Sequence, residues 1–447
     1  MTADELSAGL ARVAARAGLG ALSSQPQRLT GGAVMESWRF AAGGSDYVLR
    51  RAPSLAFMEG RPYGHSTEAA LIEAARAKGV TAPEVVAVLE EADGLGSGFV
   101  MRALPGTSDP KVVLACEDPA GLLREVARDL ARIHRLRQSD VPEGVPVMDY
   151  CAAIADLKQQ FMEAGGDRPI IALGLKWLED NCPPEVEPVL NHGDYRMGNL
   201  LVEGSRLTGV LDWELAHFGD AHEDLAFGCM AVWRFVRYDR PALGLGSIED
   251  YIAAYEAESG QKVDTARFRF WTIYRTVWWA LGCLKMAAQW RSGADRMLER
   301  VVISRRTSEQ ELDLLLLLEE QIPPEKQPSL LETPKLLEPA VGEATFGEVA
   351  TAVSEWLATI KDKFEGHDRF QLAVARNALN ILGREAAHLL STTSKGLAED
   401  LLSGQLDPLT EPGLLFAMRR MVLDKVNTDS PKYPALARAR QKWTGEN

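Results

Sequence analysis

The sequence predicts an α+β fold on three observations. Strand-like segments parted by glycine-rich turns fill the first hundred residues, helical periodicity dominates from about Pro119, and one compact polar block interrupts the helices near residue 190. With 447 residues, 46% hydrophobic and 25% charged, the chain is long enough for two lobes and a further domain.

The opening stretch, MTADELSAGLARVAARAGLG, has helical alternation and both charge signs. It lacks the basic start and continuous apolar core of a signal peptide, so no secretion signal is expected. Next, LTGGAVMESWRF and DYVLRRA read as strands joined by the turn AAGGS. STEAALIEAARAKG carries apolar residues at helical spacing, with Gly79 placed to end the helix. APEVVAVLEE and GSGFVMRAL read as two more strands around ADGLGS, so a mixed sheet with one helix is expected, a unit able to hold a nucleotide.

From Pro119 the segments REVARDLARIHRL, YCAAIADLKQQFMEA and IALGLKWLEDN each present an apolar helical face. The block VLNHGDYRMGNLLVEGSRLTGVLDWELAHFGDAHEDLAF breaks this run with short apolar segments around polar loops. More helices follow to about Glu320. Residues 323–341, rich in Pro, Glu and Leu without a clear period, read as a linker. FGEVATAVSEWLATIKDKF and RFQLAVARNALNILGREAAHLL then predict an all-helical region over 342–447.

Composition narrows the function. A formal net charge of -14 argues against a general nucleic-acid binder, whose affinity comes mainly from clustered Lys and Arg. The five cysteines, Cys116, Cys151, Cys182, Cys229 and Cys283, form no Cys-x-x-Cys pair. Neither a disulfide framework nor a thiolate zinc site is therefore expected, and a reducing cytoplasm fits best. The run LDLLLLLEE is too short to span a bilayer, so no membrane association is expected.

Within the polar block, Asp194 and Asn199 are separated by four residues, and Asp212 closes the segment VLD. This is the Asp-x-x-x-x-Asn spacing of a kinase catalytic loop, in which Asp takes the acceptor proton and Asn coordinates a metal. A strand end at Asp212 would present its carboxylate to the same metal. Phosphoryl transfer asks for that set: an aligning carboxylate, hard oxygen ligands for Mg²⁺, and donors around the nucleotide phosphates. An Asp and an Asn alone at this spacing are more often a capped turn.

The neighbours make the difference, because the block resembles the aminoglycoside phosphotransferase family, relatives of choline kinase and the protein kinases. The family's His-x-Asp-x-x-x-x-Asn is here His192, Asp194 and Asn199; its (I/L)-Asp-(W/F)-Glu is LDWE with Asp212; its Gly-Asp-x-x-x-Asp-Leu-Ala runs from Gly219 to Ala226. The resemblance covers roughly residues 20 to 320 and implies a bilobal protein-kinase-like fold. A small β-rich N-lobe (1–105) would hold the nucleotide and a mostly helical C-lobe (106–322) the acceptor, followed by the all-α C-terminal domain. It implies ATP and Mg²⁺ as cofactors, Asp194 as catalytic base, and Asn199 and Asp212 as metal ligands. His192 is expected to brace the loop rather than act as base. Asp220 and Asp224 are read as the N-cap and first-turn carboxylates of a helix.

On the nucleotide side, Gly31 and Gly32 lie in the loop between the first two strands, where they suit either a phosphate-covering loop or a plain hairpin turn. Arg50 stands where the family usually carries a Lys, with Glu68 on the following helix as its ion-pair partner. Arg contacts phosphate oxygens bidentately and is not a simple replacement for a Lys point charge. Met101 and Ala103, in FVMRAL, would stand near the adenine through backbone groups. Trp271, Tyr274, Trp278 and Trp279 read as core packing on one helical face, and Arg267, Arg269 or Arg275 would suit an anionic acceptor if pointed into the cleft.

The implied reaction is transfer of the ATP γ-phosphoryl group to a small-molecule hydroxyl. The LRR and HGDYRxGNLL phrasing is similar to that of kinase domains associated with acyl-CoA dehydrogenases, which puts a hydroxyacyl-CoA ahead of an aminoglycoside as acceptor. No Asp-Phe-Gly or Ala-Pro-Glu segment follows the loop, which disfavours a protein substrate. The competing expectation is a nucleotide-binding pseudokinase that recruits a partner; Arg50 favours it, while intact Asp194, Asn199 and Asp212 oppose it. The C-terminal segment resembles an all-helical domain of unknown function found behind such kinases, and reads as a docking or dimerisation module.

Overall fold

A computed structural model of the chain describes residues 1–29, 35–235, 237–331, 344–386 and 395–445. It comprises two compact units, Met1–Asp149 with Glu185–Cys229 and Trp233–Phe268, and Tyr150–Pro184 with Met230–Val232 and Arg269–Asn447.

The first unit opens with α1 (Ala3–Arg16), started by a capping box in which Thr2 and Glu5 satisfy each other's backbone N–H groups. Its Leu6, Leu10 and Val13 pack with Phe40, Leu49 and Val100 of a five-stranded sheet. The strands are β1 (Gln27–Arg28), β2 (Glu36–Ala42), β3 (Ser45–Arg51), β4 (Val85–Val88) and β5 (Gly98–Arg102), in the order β1-β2-β3-β5-β4. Gly43 and Gly44, at φ 55° and 81°, make the two-residue turn between β2 and β3 that demands positive φ twice.

Every pairing in this sheet is antiparallel, which corrects the expected mixed sheet. The reason lies in α2 (His65–Ala77). That helix carries the chain past the β5 position, so β4 pairs only with β5, through a hairpin, and never meets β3 side by side. The expected strand over 82–91 shrinks to β4, because Glu90 N–H donates to Asp93 Oδ2 at 2.8 Å and closes a turn of 3-10 helix.

After α3 (Pro110–Val113), α4 (Pro119–Ile133) begins at Asp118, whose side chain accepts from Gly121 N–H at 2.8 Å, with Pro119 in the first turn. Its Leu122, Leu123, Val126 and Leu130 share a core with Tyr251 and Tyr255 of α8 (Ile248–Ser259). The polar block forms β6 (Val189–Asn191) paired with β9 (His217–Gly219), the hairpin β7 (Leu200–Glu203) and β8 (Arg206–Val210), and α7 (Ala221–Phe227).

Among its described residues the second unit is built of helices and their connections, without a β-strand. It contains α5 (Tyr150–Glu163), α6 (Pro169–Asp180), α9 (Thr265–Ser292) from Arg269 onward, α10 (Leu298–Ser304) and α11 (Thr307–Glu319). Then come α12 (Phe346–Thr359), α13 (Gly366–Ala386), α14 (Lys395–Ser403), α15 (Pro412–Asp429) and α16 (Pro434–Thr444). Helix α11 is buried along nearly its whole length, Thr307, Ser308, Glu309, Gln310, Glu311 and Asp313 included. Buried charge is tolerated only when paired. Glu311 accordingly pairs with Arg168, Glu309 with Arg306 at 3.0 Å, and Glu319 with Arg419 at 2.8 Å. The segment read as a linker is packed over its described part: Leu331 is buried and its N–H donates to Trp443 C=O at 2.7 Å. Residues 332–341 of it lie outside the described residues. Among the described residues no helix is long and apolar enough to cross a membrane.

Candidate active site

Register brings two of the expected metal ligands together. Leu200 pairs with Val210 in the β7–β8 hairpin, and Leu211 N–H donates to Asn199 C=O at 2.8 Å, so Asn199 and Asp212 flank the open end of that hairpin. Asp212 sits at φ 70°, in the left-handed region where non-glycine residues are uncommon and Asp and Asn least disfavoured. Strain of order 1–3 kcal/mol is the usual cost of such a position.

Asp194 follows β6 in a tightly held loop. Its Oδ2 accepts from Asn199 Nδ2 at 2.6 Å and its Oδ1 from Arg196 Nε at 2.8 Å. The Arg196 guanidinium also lies 4.5 Å from the centre of the Trp233 ring. His192 uses both ring nitrogens for bracing: Nδ1 accepts from Asp194 N–H at 3.2 Å, and Nε2 faces Leu211 C=O at 3.1 Å. That pattern calls for the Nε2–H tautomer and leaves no ring nitrogen for proton transfer. Burial holds the His192 ring below its ordinary pKa, consistent with a neutral imidazole. Between them stands Gly193, at φ 80°, with no room for a Cβ beside Leu215 C=O. Tyr195 anchors the loop from below by donating its hydroxyl to Val126 C=O of α4 at 2.9 Å.

Asp224 does more than occupy a first helical turn. Its carboxylate accepts from His192 N–H at 2.5 Å and Gly193 N–H at 2.9 Å, tying α7 to the loop that carries Asp194. Burial would raise its pKa, but hydrogen bonding and charge from His134 and the His192 ring and backbone outweigh it and hold the carboxyl at about 2. Asp220, by contrast, is the N-cap expected of it, accepting from His222 N–H at 3.1 Å, and it also pairs with Arg267 at 2.6 Å.

Arg50, buried on β3, is clasped by three carboxylates. Its Nε lies 3.2 Å from Glu68 Oε1, and its Nη2 lies 2.5 Å from Asp212 Oδ1 and 2.7 Å from Glu214 Oε2. Arg61 joins Glu214 at 2.8 Å. Burial works against the charged guanidinium, yet Asp212, Glu68 and Glu214 together drive its pKa above the ordinary value. Glu68 is pushed up to about 7 by burial against the pull of Arg50. Burial likewise pushes Asp194 to about 6, with Arg196 opposing and Asp212 adding to the rise.

Of the other expected residues, Gly31 and Gly32 lie outside the described residues. Met101 is on β5 opposite Val48, and Ala103 N–H donates to Asp46 C=O at 2.9 Å, which leaves the Ala103 carbonyl as its group for a ligand. Trp271 and Tyr274 are buried, as core packing requires. The three arginines beside them are engaged: Arg267 with Asp220, Arg269 with Leu317 C=O and with Glu320 at 3.1 Å, and Arg275 over the Trp278 ring at 4.8 Å. Reading the sequence missed Arg196, Arg61, Glu214 and the loop-binding role of Asp224. The signal for Arg196 and Glu214 was their place inside the motifs His-x-Asp-x-x-x-x-Asn and Leu-Asp-Trp-Glu; nothing local marked Arg61.

Among the described residues, no group of three or more His, Cys, Asp or Glu side chains forms a ready-made metal centre. Mg²⁺ does not demand one, since it keeps several waters and takes only one or two protein oxygens beside substrate phosphates. The Asp212 carboxylate and the Asn199 amide oxygen are hard donors of that kind, and Asn199 spends its NH₂ group, not its oxygen, on Asp194.

A family model described as the phosphotransferase enzyme family, APH, matches residues 26–271, more than half of the chain. Among curated proteins the chain is 27% identical over 229 residues to acyl-CoA dehydrogenase family member 10 of Mus musculus, covering 46% of this chain and 21% of that protein. It is 28% identical over 223 residues to hygromycin-B 4-O-kinase of Escherichia coli, covering 45% and 61%. The chain thus spans less than two thirds of either relative's length. A solved structure of a candidate aminoglycoside phosphotransferase from Ralstonia eutropha aligns with TM-score 0.55 at 19% identity, over 70% of this chain and 98% of that one, a likeness of fold. The chain belongs to the phosphotransferase enzyme family.

Proposed function

We propose that this phosphotransferase moves the γ-phosphoryl group of ATP to a hydroxyl of a small molecule, with Mg²⁺, and that Asp194 is the base. The observation that carries the reading is the Asp194 carboxylate, 14% exposed and fixed on both oxygens by Asn199 and Arg196, with Asp212 across the hairpin end. Asp194 orients the acceptor hydroxyl and takes its proton as the oxygen attacks phosphorus and ADP departs. Most of the rate comes from that positioning and from charge stabilisation, because the transition state is loose.

Asn199 and Asp212 would hold Mg²⁺, which neutralises phosphate charge when bound. Arg50 retains Glu68 and Glu214 as partners, so Asp212 can turn to a cation without stranding a buried guanidinium. Gly31, Gly32, Arg50, Glu68, Met101 and Ala103 are assigned to the nucleotide side.

A hydroxyacyl-CoA is the acceptor class favoured, supported by the similarity to acyl-CoA dehydrogenase family members 10 and 11. The similarity to hygromycin-B 4-O-kinase supports an aminoglycoside as second choice. The test is Mg²⁺-dependent ATP consumption by the purified chain against hydroxyacyl-CoAs, aminoglycosides and small alcohols. Asp194→Ala is expected to lower acceptor-dependent turnover by roughly 10²–10⁴-fold while sparing ATP binding. Near-normal turnover in that variant would remove Asp194 from the role of base.

A further inference from the structure

The hairpin of α12 and α13 has one face committed and one face bare. Gly347, Ala350 and Ser354 of α12 are buried, and Gly383 of α13 lies against Thr351 Oγ1 and Gly347 C=O, so small residues let the two helices approach closely. The bare face carries Phe346, Val349, Val353 and Trp356, which are 93%, 52%, 41% and 60% exposed. At 3.6 residues per turn these four fall within an arc of about 80°. Outside this hairpin, the exposed large apolar side chains among the described residues are scattered singly.

We infer that this stripe is the contact by which a second copy of the chain docks, α12 against α12 in antiparallel orientation about a two-fold axis. The spacing of the four residues is 3, 4, 3, which reads the same in both directions and is centred between Val349 and Val353. An isologous interface requires such self-complementarity. Antiparallel pairing sets Phe346 against Trp356 of the partner subunit and Val349 against Val353 of the partner subunit, a large pair at each end and a β-branched centre. The 3-4 alternation is also that of a two-helix seam.

Area supports the same occupant. Scaling full burial of about 150–250 Å² per aromatic side chain by the observed exposures, the stripe offers roughly 450 Å² of apolar surface per copy. Two copies would bury about 900 Å² from these four residues, the range of a weak, reversible dimer. Glu348, at the N-terminal end of α12, is turned into its own capping box with Thr345. The chain's net charge of -14 makes two copies repel, so moderate salt should tighten the dimer rather than loosen it.

This inference stands apart from the phosphotransfer reading, and sedimentation of the full chain tests it. From about 1 to 100 µM the mass should climb from 48.9 kDa toward twice that value. Val353→Glu and Trp356→Glu, both at exposed positions, should each weaken association at least about tenfold. Met162→Glu, at an exposed apolar position on α5, should leave it unchanged. In a Cys151→Ser background, Val349→Cys should form an intermolecular disulfide under mild oxidation only when mixed with Val353→Cys. A chain that stays monomeric throughout, or a dimer indifferent to both glutamates, overturns the proposal; Val349→Cys linking to itself overturns the antiparallel register.

Discussion

Arg196 and Gly198 act as one device. A Cβ on Gly198 would collide with the Arg196 guanidinium, so the glycine is what lets Arg196 lie across the loop onto Asp194. Removing the cation by Arg196→Met should lower kcat roughly 10–100-fold, the scale of a small misplacement of a reacting group, with the KM for ATP little changed. Gly198→Ala should reproduce that loss while barely altering thermal stability, since the displaced atom is the end of a flexible side chain. Steady-state kinetics beside a melting curve checks both. Asp224 answers to acid. Its carboxyl is lowered from the ordinary 3.8 to about 2 in the folded chain, so its stabilisation is complete above about pH 4 and is lost as pH falls through 2. That shift corresponds to about 2 kcal/mol. Asp224→Asn should therefore lower the urea midpoint at pH 7 and flatten the decline between pH 4 and 2.

Among the elements, α4 was legible because its start is written locally, in Asp118 and Pro119, and its apolar face repeats at helical spacing. Helix α11 shows what such patterns omit. Its Thr-Ser-Glu-Gln-Glu-Leu-Asp start is polar in sequence yet buried, because Arg168, Ser430 and Tyr433, distant in the chain, reach Glu311, Glu309 and Asp313. Glu319, at its end, is fully buried and meets Arg419 of α15 and the indole N–H of Trp443 of α16 at 2.8 Å each. Arg419→Ala would leave that carboxylate to Lys442 and the Trp443 indole, and loss of the charge-assisted hydrogen bond should cost about 1.5–3 kcal/mol, read as a lowered melting temperature. The expected mixed sheet failed for a related reason: strand direction follows which strands become neighbours, and a helix between β3 and β4 hides that choice from local patterning.

For the molecule as a whole, a net charge of -14 and a pI near 5.2 give a mutual repulsion that opposes unspecific aggregation at neutral pH. Solubility should pass through a minimum near pH 5, seen as turbidity across a pH series, because that repulsion vanishes there. By itself the sequence determined the α+β division, most helix positions and the members of the catalytic-loop motif, since capping, periodicity and short spacings are properties of neighbouring residues. Tertiary structure alone decided that Arg50, expected to pair with Glu68, is clasped by Asp212 and Glu214 as well, that Asp224 holds the backbone of His192 and Gly193, and that α11 is buried. Each joins groups separated by tens to more than a hundred residues in the chain, and burial then sets their charge. No local pattern encodes a contact made by folding, nor the desolvation that comes with it.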